Sequence, residues 1–189
     1  MESAARALSL SDLSIDSDNP LARVFWVVAF VVLTAVGAQV QIPHDPVPFT
    51  LQTMFVLLAG AFLGKWNGFI SMVSYLACGV AAFPVFAGGS FGLIKLIGPS
   101  GGYLLAFPLA AFVVGLLARR STSYYRTLLS MAAGLVIIFA AGTAQLNALV
   151  FHDWGKSFAS GFLIFSWWDI VKLGAASSIY HFYRRRIAP

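Results

Sequence analysis

Asp169 and Lys172 stand three positions apart in an otherwise apolar run, Trp167-Trp168-Asp169-Ile170-Val171-Lys172. Positions i and i+3 share one face of a helix, so an acceptor and a cation point the same way. Each charge costs about 2.5–3.5 kcal/mol at the centre of a membrane helix and less near its end. A helix beginning near Trp167 puts Asp169 in its first turn, where the macrodipole favours a carboxylate. One explanation of the pair is an intrahelical ion pair that solves its own burial. The other is a polar site that grips a small molecule.

A second unusual stretch runs from Phe83 to Tyr103 and holds six glycines and two prolines among apolar residues. It cannot form a straight helix, and it is too apolar for open water. Irregular backbone at membrane depth is tolerated where it is buried in protein or lines a cavity. The segment is therefore expected to fold back into the protein and offer backbone groups to a ligand. Gly98-Pro99-Ser100-Gly101-Gly102-Tyr103 then opens a helix at Pro99 or Ser100, and free N–H groups at a helix start suit a carbonyl or carboxylate. Lys-Ser/Thr does not follow these glycines, so they are not an ATP-binding P-loop. Gln52 opens another apolar segment, and Gln39, Gln41, Gln145 and Asn147 read as helix–helix hydrogen-bonding groups. His44-Asp45 and His152-Asp153 read as solvated loop residues rather than metal ligands. HExxH does not occur. Catalytic residues, metals and cofactors are not expected.

These groups need helices to position them. Of 189 residues, 59% are hydrophobic and 10% charged, against about 25% charged in soluble domains; mean hydropathy is +0.84. The basic residues behind the net charge of +5 cluster at the ends of apolar segments and form no stripe for nucleic acid. Cys78, the single cysteine, reads as a buried, inert thiol. A bilayer core takes about 20 helical residues per span. The expected spans are Val24–Val40, Leu51–Gly64, Trp66–Phe83, Gly101–Ala118, Leu128–Phe151 and Trp167–Tyr183, with a short interfacial helix over Trp154–Ser166. Three prolines within 43–48 break the chain between the first two spans. Residues 1–22 are expected to form a polar, disordered tail before a single domain over 23–186. Small residues four apart (Gly60 with Gly64, Ala111 with Gly115, Ser130 with Gly134) allow close helix crossings.

Charge sets the direction. With both termini in the cytoplasm, Arg6, Arg23, Lys65, Arg119, Arg120, Arg126 and Arg184–Arg186 lie inside. Lys95 and Lys156 lie outside, and Lys172 lies within a span. This bias follows the positive-inside rule. The expected fold is an all-α integral membrane protein of the cytoplasmic (inner) membrane, a six-helix bundle whose outward-facing pocket is capped by loops.

Four segments in order carry a resemblance to a known family: Pro46-Val47-Pro48-Phe49-Thr50-Leu51-Gln52-Thr53, Phe83-Pro84-Val85-Phe86-Ala87-Gly88-Gly89, Gly98-Pro99-Ser100-Gly101-Gly102-Tyr103 and Asp169-Ile170-Val171-Lys172. From Arg23 to Arg186 the chain resembles BioY, the biotin-specific substrate-binding component of energy-coupling factor (ECF) transporters. The resemblance implies a biotin pocket formed by Asp169, Lys172, Ser90, Tyr103, Gly89, Ser100, Gly101, Gly102, Phe91, Trp168 and Gln52. Asp169 and Lys172 match the family's Asp-x-x-Lys motif. Ser90 stands where members often carry Asn, Phe91 where they carry Gly, and Trp167-Trp168 where Pro-Gly is common. Biotin offers two ureido N–H donors, a carbonyl acceptor and a valerate carboxylate. Asp169 would accept from an N–H, Lys172 would meet the ureido oxygen or the carboxylate, and the aromatic residues would pack on the thioether ring. Implied partners are the bilayer, a transmembrane coupling protein and two ATPase subunits; some members are proposed to act alone or as oligomers, which makes a homo-oligomer a further arrangement to test. The alternatives are a component of the same architecture for another vitamin or small heterocycle, and a membrane-embedded enzyme.

Overall fold

A computed structural model describes residues 15, 19–118, 121–163 and 166–187. Most of the expected tail, with Arg6, and the basic pair Arg119 and Arg120 lie outside the described residues. The described chain is mostly helical, and four helices are long and apolar enough to cross a membrane.

Helix α1 spans Pro20–Gln39. It starts at Pro20, inside the stretch expected to be tail, because the Asn19 side chain accepts from Leu21 N at 2.9 Å and proline suits a first turn. A two-residue antiparallel ladder follows, β1 (Gln41–Ile42) with β2 (Phe49–Thr50), pairing Gln41 with Thr50 and Ile42 with Phe49. The proline-rich turn between them was expected; the ladder that closes it was not.

Helix α2, Gln52–Val80, is continuous in hydrogen bonding but breaks at Gly64, where φ is 77° and ψ 178°. Only glycine adopts this conformation readily. The chain reverses there. A Cβ built on Gly68 would lie 3.0 Å from Gly60 Cα, whereas eight residues of straight helix span about 12 Å. Gln52 donates to the Tyr75 hydroxyl 23 positions away, a separation of about 35 Å in a straight helix. The arms 52–63 and 65–80 thus form a helical hairpin and correspond to the second and third expected spans.

After α2 come a 3-10 turn at Ala87–Gly89, α3 at Leu93–Ile97 and α4 at Gly101–Ala118. Helix α5 covers Tyr124–Leu146, capped by the Ser123 hydroxyl, and runs into a π-turn at Asn147–Phe151. Short α6 covers Trp154–Gly161, capped by Asp153, and α7 covers Ser166–Ile187.

Close backbone approach holds the crossing of α2 and α4. A Cβ on Gly60 would meet Ala111 O at 2.4 Å, and one on Gly115 would meet Gly64 C and Lys65 N at 2.4 Å. Gly134 of α5 faces Val114 and Leu57. The small residues picked out by spacing therefore lie at real contacts, where dispersion and backbone proximity replace the hydrophobic drive that lipid removes. Ser130 instead bonds its own helix, through Arg126 O at 2.6 Å. Cys78, expected buried, is half-buried.

At one end of the bundle the Tyr180 hydroxyl donates to Ala118 O at 3.3 Å, and Tyr183 meets Phe62 edge-on with centroids 5.0 Å apart. Arg184, Arg185 and Arg186 follow in the last turn of α7, on the side of the Gly64 reversal and Lys65. The starts of α2, α4 and α7 gather at the opposite end, around a cavity.

Candidate functional site

The cavity holds about 520 Å³, within the range of small-molecule sites. Its walls come from the β1–β2 turn, the start of α2, the segment between Phe86 and Ser100, and the first turns of α4 and α7. Phe86, Tyr103, Phe107 and Phe139 give an aromatic lining and are buried. The polar groups are concentrated where α2 meets α7.

There Lys172 Nζ lies 2.6 Å from Asp169 Oδ1, 2.8 Å from Thr50 O and 2.9 Å from Thr53 Oγ1. The Thr53 hydroxyl in turn donates to Asp169 Oδ1 at 2.9 Å. Asp169 is 1% and Lys172 5% exposed. An ammonium has three N–H donors, and all three of Lys172 are committed. Asp169 Oδ2, in contrast, is buried without a hydrogen-bond partner among the described residues. An unmet carboxylate oxygen is costly in a low-dielectric site, and a donor from a bound molecule would relieve it. The pair is thus an ion pair and part of a cavity wall at once.

The β1–β2 turn is tied to this cluster. The Thr50 hydroxyl donates to Gln52 Oε1 at 2.9 Å, Gln52 reaches Tyr75, and the Tyr75 hydroxyl donates to Val85 O at 2.9 Å. The loop after α2 is pinned by Gln39 at the end of α1. Its side chain donates to Phe86 O at 3.2 Å and accepts from Gly89 N at 2.9 Å. The Phe86 ring lies directly over Gly79, where a Cβ would sit 2.0 Å from it. The glycine-rich segment therefore folds against the bundle, as its composition implies. Tyr103 closes another side by donating to Gly161 O at 2.7 Å.

Of the residues expected at the site, Asp169, Lys172, Ser90, Tyr103, Ser100 and Gln52 line the cavity. Gly89, Phe91, Gly101, Gly102 and Trp168 do not. Phe91 is 51% exposed, beyond the turn that carries Ser90 inward. Gly101 and Gly102 pack under Leu96 and Ala141, with room for no side chain; they seat α4 rather than face a ligand. Gly101 N is already used by Gly98 O at 2.9 Å. Gly89 serves Gln39. Trp168 precedes Asp169, and one residue turns a helix by about 100°, so with Asp169 facing the cavity Trp168 points aside and meets Trp167. Gln145 acts as expected of a helix–helix group, donating to Leu96 O and Gly98 O at 3.1 and 2.7 Å.

Sequence reasoning missed Thr50, Thr53, Lys95, Phe107 and Phe139, all in the cavity wall. Thr50 and Thr53 lie inside a quoted motif, but a threonine in an apolar helix is inexpensive and carries no marker of its own. Lys95 was counted only as an external charge.

Comparison with known proteins agrees with this architecture. The model of the BioY family matches residues 7–189. The chain belongs to the BioY family. It is 46% identical to the biotin transporter BioY of Thermotoga maritima, over 79% of this chain and 88% of that one. It is 43% identical to the probable biotin transporter BioY of Pyrococcus horikoshii, over 82% and 91%. Among solved structures, the S-component for biotin from an ECF-type ABC transporter superposes with a TM-score of 0.81 at 25% identity, covering 87% of this BioY-family chain and 92% of that one. The shared fold is that of a multi-pass membrane protein.

Proposed function

We propose that this BioY-family chain binds biotin in the cavity and delivers it across the cytoplasmic membrane as the substrate-binding component of an ECF transporter. One observation carries the reading: a buried aspartate on the wall of an aromatic cavity has one oxygen locked by Lys172 and Thr53 and the other without a donor. A ureido N–H is the donor it lacks, and a small rotation of the carboxylate presents that oxygen to the ligand. Lys172 pairs with Asp169 and ties it to Thr50 and Thr53. Phe107, Phe139 and Tyr103 pack against the thioether ring, while Ser90, Ser100 and Gln52 complete the polar lining.

In this reading the chain crosses the bilayer six times, as α1, the two arms of α2, α4, α5 and α7. The end bearing Lys65, Arg126 and Arg184–Arg186 faces the cytoplasm with both termini, and the cavity opens outward. The chain acts as a transporter component, not as an enzyme. A transmembrane coupling protein and two ATPase subunits supply the energy, and self-association is a second mode of assembly.

The test is thermal stabilisation and calorimetry of the purified protein with a panel of water-soluble vitamins. Biotin alone is expected to stabilise it. Stabilisation by another vitamin and not by biotin overturns the assignment. Uptake of labelled biotin in cells with and without the coupling protein and ATPases tests the partners.

A further inference from the structure

Among the described residues, three charged side chains line the cavity: Asp169, Lys172 and Lys95. The first two neutralise each other at 2.6 Å, and every N–H of Lys172 has an acceptor. Lys95, on the short helix α3, is exposed, and its ammonium makes no hydrogen bond or ion pair with any described residue. The lining therefore carries one uncompensated positive charge, placed toward solvent, while the neutralised pair is buried. Of the amides at the start of α4, that of Gly101 is already bonded to Gly98 O at 2.9 Å.

We infer that Lys95 is the counter-ion for the ligand's carboxylate and sets a preference for anionic over neutral ligands. This rests on the biotin reading above. Biotin has its hydrogen-bonding bicycle at one end and a carboxylate, ionised at neutral pH, at the end of a four-carbon chain. A buried acceptor and an exposed cation in one cavity match that polarity: the ring goes in and the carboxylate stays at the mouth, where water and Lys95 share its charge. The pair forms near solvent, so its contribution is salt-sensitive.

The experiment compares biotin with biotinamide, its neutral carboxamide, on the wild type, K95Q and K95R in lipid-free detergent at low and high ionic strength. The wild type is expected to prefer biotin by about five- to tenfold at low salt, and less at high salt. K95Q is expected to bind the two ligands within about threefold of each other at either salt, and K95R to keep most of the preference. A K95Q protein that retains the wild-type preference overturns the assignment while leaving the biotin reading intact; that is the outcome if Lys95 serves only lipid headgroups. A wild type that binds neither ligand removes the biotin reading, and this proposal with it. The ratio is taken within each variant, so partial loss of folded protein does not disturb it.

Discussion

The Thr53 hydroxyl donates to the Asp169 carboxylate at 2.9 Å across 116 positions of chain. That bond joins the start of α2 to the start of α7, and the same hydroxyl oxygen accepts from Lys172. Thr53 thus fixes both charges with one side chain. Thr53→Val keeps the shape and removes both contacts. Calorimetry is expected to show at least a tenfold loss of biotin affinity, on the scale of about 1.5–3 kcal/mol for hydrogen bonds to charged groups, with Thr53→Ser keeping most of it.

Removing one member of the buried pair strands the other. Asp169→Asn and Lys172→Met are each expected to cost about 3–5 kcal/mol of stability, read as a lower melting temperature. Asp169→Leu combined with Lys172→Met, apolar at both positions, is expected to recover much of that loss and yet bind no biotin. A double variant that binds biotin would show the pair to be purely structural.

Gly115 lies against the Gly64 reversal with no room for a Cβ. Gly115→Ala is expected to destabilise by about 1–3 kcal/mol through overpacking, and Gly115→Val by more. Thermal denaturation in detergent reads this directly. Gly174 has open space at its Cβ position, so Gly174→Ala is the matched control and should not lower the melting temperature.

Gln39 is the side chain from α1 that pins the turn bearing Phe86 and Ser90. Gln39→Leu removes both bonds while preserving bulk. The turn should open more often, raising the dissociation rate of labelled biotin about tenfold in a cold-chase experiment, on the scale of two lost hydrogen bonds.

Direction is open to labelling. Cys78 is the single cysteine, so Cys78→Ala gives a cysteine-free background. A cysteine at Trp154, near the cavity end, is expected to react with an impermeant maleimide from outside intact cells. A cysteine at Tyr125, near the basic end, is expected to react only after lysis. The reverse pattern inverts the orientation.

Much of this was legible in the residues. Helix α4 has the expected bounds, Gly101–Ala118, because glycines mark its start and basic residues follow its end. Asp169 and Lys172 stood out because ionised groups are rare in apolar runs. Thr53 did not, since its importance comes from a contact between distant segments. Phe107 and Phe139 look like any other apolar residue until the cavity is known. Trp168 was misplaced because its direction depends on which way Asp169 faces, which sequence spacing alone does not determine. Lys95 was visible as a charge, but its place in the cavity wall follows from how the glycine-rich segment packs on Gly79.

The reversal at Gly64 has a further consequence. By hydropathy, Gln52–Val80 is one apolar stretch of 29 residues. A chain that ran straight through it would carry Thr53 to one end of the molecule and invert every later element relative to it. Asp169 and Lys172 would then lie at the far end from their partners. The parity of the whole chain, and with it the existence of the cavity, is thus decided by a residue that has no side chain.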